Sequence, residues 1–218
     1  MGDIEVRAAI PADIPLLERQ CWRGGEEEMM RRIEQQGTCS FIGLDGGRPV
    51  AQLYLRTYEP GFRSGGMRDG AWWADLAGAE GRIELPGIAV AMLGCWHVGR
   101  VRDEDGTERP APEYRGQGLG IRLLEAAVAW IASGESPYEV VAAKATANED
   151  RAYLGWLGGL PLSLFRERGF EDLGAFDDPY MRDGAGEIPE DVRNGEPWRF
   201  HLVALRTSPG GKGHAAAP

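Results

Sequence analysis

The chain has 218 residues, a length that fits one large domain better than several. Hydrophobic residues make up 43% and charged residues 27%, which excludes a mostly disordered polymer. Asp and Glu outnumber Lys and Arg by 34 to 24, a net charge of −10, so a protein that wraps a nucleic-acid backbone with a basic face is not expected. In chain order, residues 4–8 read as a first strand. Pro11, Asp13 and Pro15 then mark a helix start, where proline is tolerated and a short acid satisfies free amides. Ile14, Leu17 and Cys21 give that helix an apolar stripe. A second helix opens on Glu26, Glu27 and Glu28, pairs Glu27 with Arg31 and Glu28 with Arg32 at i,i+4 spacing, and stops at Gly37. Its charges read as a solvated face.

Residues 39–44 and 50–58 flank Asp45-Gly46-Gly47 and predict a hairpin, in which Ala51, Leu53 and Leu55 alternate with Gln52, Tyr54 and Arg56. Residues 59–86, with Gly65-Gly66 and Trp72-Trp73, break the pattern and read as an insertion. Residues 87–102 form the most buried-looking strand, and Asp105-Gly106 marks a turn in the polar interruption at 103–108. An amphipathic helix over 119–133 places Ile121, Leu124, Val128 and Ile131 on one face and ends at Gly134. A strand at 138–145 follows, then a helical region at 149–168 broken at Gly158-Gly159 and Pro161, and strands at 171–176 and 198–205. Residues 207–218 read as a mobile tail, so one domain is expected over 1–206.

The three cysteines, Cys21, Cys39 and Cys95, lie far apart and suggest no disulfide framework, which points to a reducing, cytoplasmic setting. Three histidines without a Cys/His cluster predict no metal site. The first residues are neither basic nor followed by an apolar core, so no signal peptide is expected. The longest uncharged apolar stretch, 87–98, falls far short of the ~20 residues a membrane span needs.

The chemistry concentrates in Arg115-Gly116-Gln117-Gly118-Leu119-Gly120, between the buried strand and the amphipathic helix. Alternate glycines let the chain turn tightly and leave backbone N–H groups pointing outward, and the helix start adds partial positive charge; together they suit an anionic pyrophosphate. The dinucleotide fingerprint needs two residues before its third glycine, and only one intervenes here. The triphosphatase loop needs Gly-Lys-Ser/Thr, which is absent.

PEYRGQGLGIRLLEAAVAWI, followed by YEVVAAKATANEDRA and LFRERGF, resembles the GNAT superfamily of acyl-CoA-dependent N-acyltransferases. Arg115, Gly118 and Gly120 match that family's Arg/Gln-x-x-Gly-x-Gly/Ala loop, and IEVRAAIPADIPLLE with FIGLDGGRPVAQLYL looks like its N-terminal half. The resemblance implies an α/β fold: a mixed, mostly antiparallel sheet flanked by helices and opened by a V-shaped splay. It implies that Arg115 and the amides of Gly116, Gln117, Gly118, Leu119 and Gly120 hold the pyrophosphate of acetyl-CoA as cosubstrate. The strand ending near Val101 would pair with the pantetheine arm, and Asn148 matches an asparagine that contacts CoA. Asn148 read locally is instead an N-cap for the segment EDRA. Two positions depart from the family. Pro110 stands where valine is common and offers no N–H, and Phe165 stands in place of the tyrosine that protonates the leaving thiolate.

Acyl transfer to an amine needs a base to remove the ammonium proton and a donor to polarise the thioester carbonyl. His97, on the central strand, is the candidate base, with a core histidine as the alternative reading. Cys95 shares its face by period-2 spacing, but no orienting acid accompanies the pair. Tyr153 is the candidate acid, with a packing aromatic as the alternative. Trp72 and Trp73 suit an acceptor pocket or an anchor for the insertion. Residues 171–197 carry nine carboxylates and two arginines, among them Asp177, Asp178, Asp183, Glu187, Glu190 and Asp191; this is either a solvated loop or a field for a cationic acceptor. The expected activity is N-acetyl transfer from acetyl-CoA to a primary amine, such as a small cation or a basic peptide end. The alternative is a CoA-binding regulatory or interaction module. Neither nucleic acid nor membrane is expected as a partner, and a homodimer stays open.

Overall fold

The computed structural model describes residues 3–17, 25–58, 89–102, 108–178, 189–190 and 197–207. Cys21, the insertion at 59–86 with Trp72 and Trp73, the Asp105-Gly106 turn, Asp183, Glu187, Asp191 and the tail from 208 lie outside them. Strand β1 (Glu5–Ala8) leads into a 3-10 helix, Pro11–Leu16, instead of the expected α-helix. Pro15, inside this segment, lacks the amide that a continuing α-helix would need, whereas Pro11 stands at the first position, where proline is tolerated. Asp13 instead accepts the Ile10 amide at 2.8 Å and takes both nitrogens of the Arg7 fork at 2.5 and 2.9 Å.

Helix α1 (Gly25–Gln36) starts on the three glutamates, but Arg31 turns to Glu28 and Gln35 and not to Glu27. Arg32 also binds Glu28, at 2.9 Å, and is only 3% exposed. The charge run is therefore partly a buried ion-pair cluster, where a solvated face was expected.

Strands β2 (Ser40–Asp45) and β3 (Arg48–Tyr58) form the predicted hairpin. The alternation in β3 is real, but both of its faces are buried. Ala51, Leu53 and Leu55 enter the larger core, while Tyr54 joins a second core beneath α1. Next come β4 (Ala89–Val98) and a two-stranded ribbon, β5 (Arg100–Arg102) with β6 (Glu108–Pro110). Helix α2 (Leu119–Ala132), β7 (Tyr138–Thr146), α3 (Arg151–Leu157), α4 (Leu162–Glu167), β8 (Glu171–Asp177) and β9 (Arg199–Arg206) complete the chain order. The helical break predicted at Gly158-Gly159 and Pro161 separates α3 from α4.

The seven-stranded sheet runs β1-β2-β3-β4-β7-β9-β8, antiparallel throughout except for the parallel pair β4–β7. That pair needs a crossover, which α2 supplies on one face. Helix α2 buries Leu119, Leu123, Leu124, Ala127 and Ile131, while the predicted Ile121 and Val128 are only half-buried. The helix is apolar on most sides, so periodicity alone did not decide which stripe meets the sheet. Helix α4 shares that face, with Phe165 and Leu162 in the same core. The opposite face carries the 3-10 helix and α1 over Ile14, Leu17, Met29, Ile33 and Ile42. Neither Cys39 nor Cys95 forms a disulfide among the described residues, and burial pushes the Cys39 thiol up to about 12. No described helix is long and apolar enough to cross a membrane.

Candidate active site

The centre of the sheet opens between β4 and β7. Their register runs from Ala89–Tyr138 to Leu93–Ala143 and then stops. At that point β4 carries a bulge. Gly94 faces Tyr54 and Trp96 faces Leu53, so Cys95 is the extra residue, with φ of +55°. Among the described residues Cys95 is the one non-glycine with positive φ, and a bulge bends its strand and increases local twist. From Gly94 onward the far edge of β4 has no strand partner in β7. The Trp96 amide instead donates to the Gly158 carbonyl at 3.0 Å, and the Thr146 amide of β7 faces the Leu160 carbonyl at 3.5 Å. Gly99 turns its amide to Val50, away from the gap, so by alternation the Val98 N–H points into it.

The glycine loop lies at this opening, on the first turn of α2. Gly116 and Gly118 hold φ of +72° and +73°, conformations that side-chain-bearing residues rarely adopt. The first main-chain bond of the helix runs from Arg122 to Gly118 at 3.0 Å, leaving the amides of Leu119, Gly120 and Ile121 at the helix mouth. Three clamps fix the loop. The Ala111 amide binds the Gly99 carbonyl at 2.8 Å, Trp96 Nε1 donates to the Gly120 carbonyl at 3.2 Å, and Tyr114 reaches the β2–β3 turn. Gln117 Nε2 donates to the Glu113 carbonyl within the loop. The Arg115 side chain passes over Gly99, where a Cβ would lie 2.7 Å from its Cγ. Its guanidinium is exposed and forms no hydrogen bond or ion pair with the described residues. Outward amides, a helix mouth and an exposed arginine meet within one turn, a combination that fits a pyrophosphate.

The other predicted residues fare differently. Val101 sits in β5 opposite Arg109, past the splayed edge, so the backbone that lines the gap belongs to residues 94–98. Pro110 is accommodated because it closes that ribbon opposite Arg100. Asn148 Oδ1 accepts the Asp150 amide at 2.9 Å, but the N-cap of α3 is Asp150, whose Oδ1 accepts from Ala152 and Tyr153. Asn148 braces the cap and does not form it. His97 is half-exposed on the α1 side of β4 and meets Tyr54 edge-on, with ring centroids 5.6 Å apart. Cys95 packs against the same core, so the two do share a face.

Tyr153 does not suit an acid role. It is fully buried, its hydroxyl donates to the Pro197 carbonyl at 2.5 Å, and burial pushes its phenol up to about 12. Phe165 is also fully buried, edge-on to Trp96 at 6.2 Å and to Phe170 at 5.1 Å. Asp178, expected in a solvated acidic loop, is 1% exposed; Lys144 Nζ donates to its Oδ2 at 2.6 Å and lies 4.3 Å from the Phe200 ring centroid. Asp177 faces Arg199 at 3.8 Å. Sequence reasoning missed Lys144 and the segment Gly158–Leu160 because their partners lie far along the chain.

No family model and no curated protein matches this sequence. Solved structures do. The polyamine N-acetyltransferase of Drosophila melanogaster, which forms N-acetylagmatine, is 16% identical with a TM-score of 0.52, over 94% of this chain and 100% of that one. A mutant agmatine N-acetyltransferase in its apo form is 15% identical with a TM-score of 0.50, over the same shares. The mixed, mostly antiparallel seven-stranded sheet flanked by helices agrees with that likeness: the chain has the GNAT fold.

Proposed function

We propose that the protein transfers an acetyl group from acetyl-CoA to a primary amine, in a single domain over residues 1–206. The observation that carries this reading is the glycine loop, whose helix-mouth amides and exposed Arg115 sit beside the gap between β4 and β7. Arg115 and the amides of 116–120 bind the pyrophosphate, and Asn148 lies at the far rim of the gap as a further contact. His97 accepts the proton that the attacking ammonium must lose. The amine nitrogen bonds to the thioester carbon and gives up its second proton to solvent, the carbon–sulfur bond breaks, and sulfur leaves with the electron pair. The Val98 N–H is placed to polarise the carbonyl. With Phe165 and Tyr153 unable to serve, solvent protonates the thiolate. A small cationic acceptor is supported by the excess of carboxylates in 171–197 and by the polyamine and agmatine substrates of the similar enzymes. Asp178 contributes little to that field, since Lys144 neutralises it.

The second reading is a CoA-binding module without transfer. It is favoured by the Trp96 amide, already bound to Gly158, and by the missing acid. Two assays separate them. Ligand at ~100 times its dissociation constant stabilises by about 2.7 kcal/mol, a melting shift of roughly 5–10 °C at this size. Release of CoA thiol across a panel of amines then reports transfer. A melting shift without thiol release supports the module; no shift with millimolar CoA removes both readings.

A further inference from the structure

We propose that Tyr114 is a positioning residue for the glycine loop, acting through its hydroxyl on the β2–β3 turn. The inference rests on reading that loop as the acyl-CoA pyrophosphate site. Gly116 and Gly118 have nothing within 4 Å of where a Cβ would stand, so this side of the loop has no packing of its own to define its shape. Its geometry must come from its ends. The downstream end is held by the bond from Trp96 to the Gly120 carbonyl. The upstream end is Tyr114, immediately before Arg115.

The Tyr114 ring is 3% exposed in the core beneath α2. Its hydroxyl emerges at the hairpin, donating to Asp45 Oδ2 at 2.8 Å and accepting from Arg48 Nη2 at 3.0 Å. Asp45 and Arg48 are register partners across the turn, so one phenol is gripped by an anion and a cation on a rigid two-strand base. The Tyr114 and Arg115 amides bind the Ala111 and Pro112 carbonyls at 3.1 and 3.0 Å. This short turn carries the position of the phenol directly into Arg115 and Gly116.

The test is Tyr114→Phe, which keeps the buried ring and removes only the hydroxyl. Calorimetric titration with CoA should show affinity reduced about tenfold, the scale of one lost charge-assisted hydrogen bond. The melting temperature of the unliganded protein should stay within a few degrees of wild type. In turnover, KM for acetyl-CoA should rise while kcat and the amine KM hold. Asp45→Ala should reproduce the effect, and the double variant should be no weaker than either single, as expected for one shared interaction. Equal CoA affinity in wild type and Tyr114→Phe overturns the proposal. An affinity loss that Asp45→Ala does not share overturns it as well. Absence of CoA binding in the wild type is a different failure, that of the pyrophosphate reading itself.

Discussion

Gly155 and Gly158 lie three residues apart in and just beyond α3, yet alanine should act on them with opposite sign. Gly158 has φ of +65°, and a Cβ there would stand 2.8 Å from the Trp96 carbonyl oxygen. The left-handed conformation costs an L residue about 1–2 kcal/mol. The clash is with backbone, which cannot rotate away. Relieving it means lengthening the bond from the Trp96 amide to the Gly158 carbonyl, another loss of about 1 kcal/mol. Gly158→Ala should therefore destabilise by roughly 2–3 kcal/mol, a fall of about 5–10 °C in melting temperature at this chain length. Gly155 lies within α3, has no positive φ and has nothing within 4 Å of its Cβ position. Alanine there gains helix propensity of about 0.8–1 kcal/mol, a rise of about 2–4 °C. Differential scanning calorimetry of both variants decides the matter. If Gly158→Ala melts at or above wild type, the segment after α3 does not pack against the Trp96 backbone as described.

His97→Ala should lower turnover by roughly 10²–10⁴-fold with the KM for acetyl-CoA little changed. A variant that mainly melts earlier and turns over normally would return His97 to a packing role against Tyr54. Burial tends to raise the Asp13 carboxyl, but hydrogen bonds from Arg7 and the Ile10 amide hold it below its ordinary range. A depressed acid stabilises the fold above its unfolded pKa of ~3.9 and loses that contribution as pH falls through the folded value. The melting temperature should thus drop below about pH 4, and Asp13→Asn should melt lower at neutral pH with a shallower acid slope. A parallel pair of curves would refute the link. Asp178→Ala removes the carboxylate that faces the Lys144 ammonium and should cost about 3–5 kcal/mol by urea titration, whereas Lys144→Met with Asp178→Leu should recover most of it. Equal losses in single and double variants would mean the pair is not an interacting unit.

Local signals in the sequence determine a good deal of this protein. Asp45-Gly46-Gly47 sets the hairpin because its turn needs positive φ, observed at Gly46 and Gly47. Gly158-Gly159 and Pro161 break the helix where expected, and two glycines before an apolar helix with a third in its first turn place the loop at its mouth. These features act over a few residues, so chain order is enough to read them. Other features were settled only by packing. Nothing near Cys95 announces a left-handed bulge, yet it is there that β4 bends and the parallel pair ends. Tyr153 has the chemistry of an acid, and only its bond to Pro197, 44 residues away, takes its hydroxyl out of use. Asp178 looks like surface charge until Lys144, from another strand, closes on it, and Tyr114 looks like core until Asp45, 69 residues earlier, takes its hydroxyl. A side chain's type sets what bonds it can form; which of them it does form depends on neighbours that only the assembled sheet brings within reach.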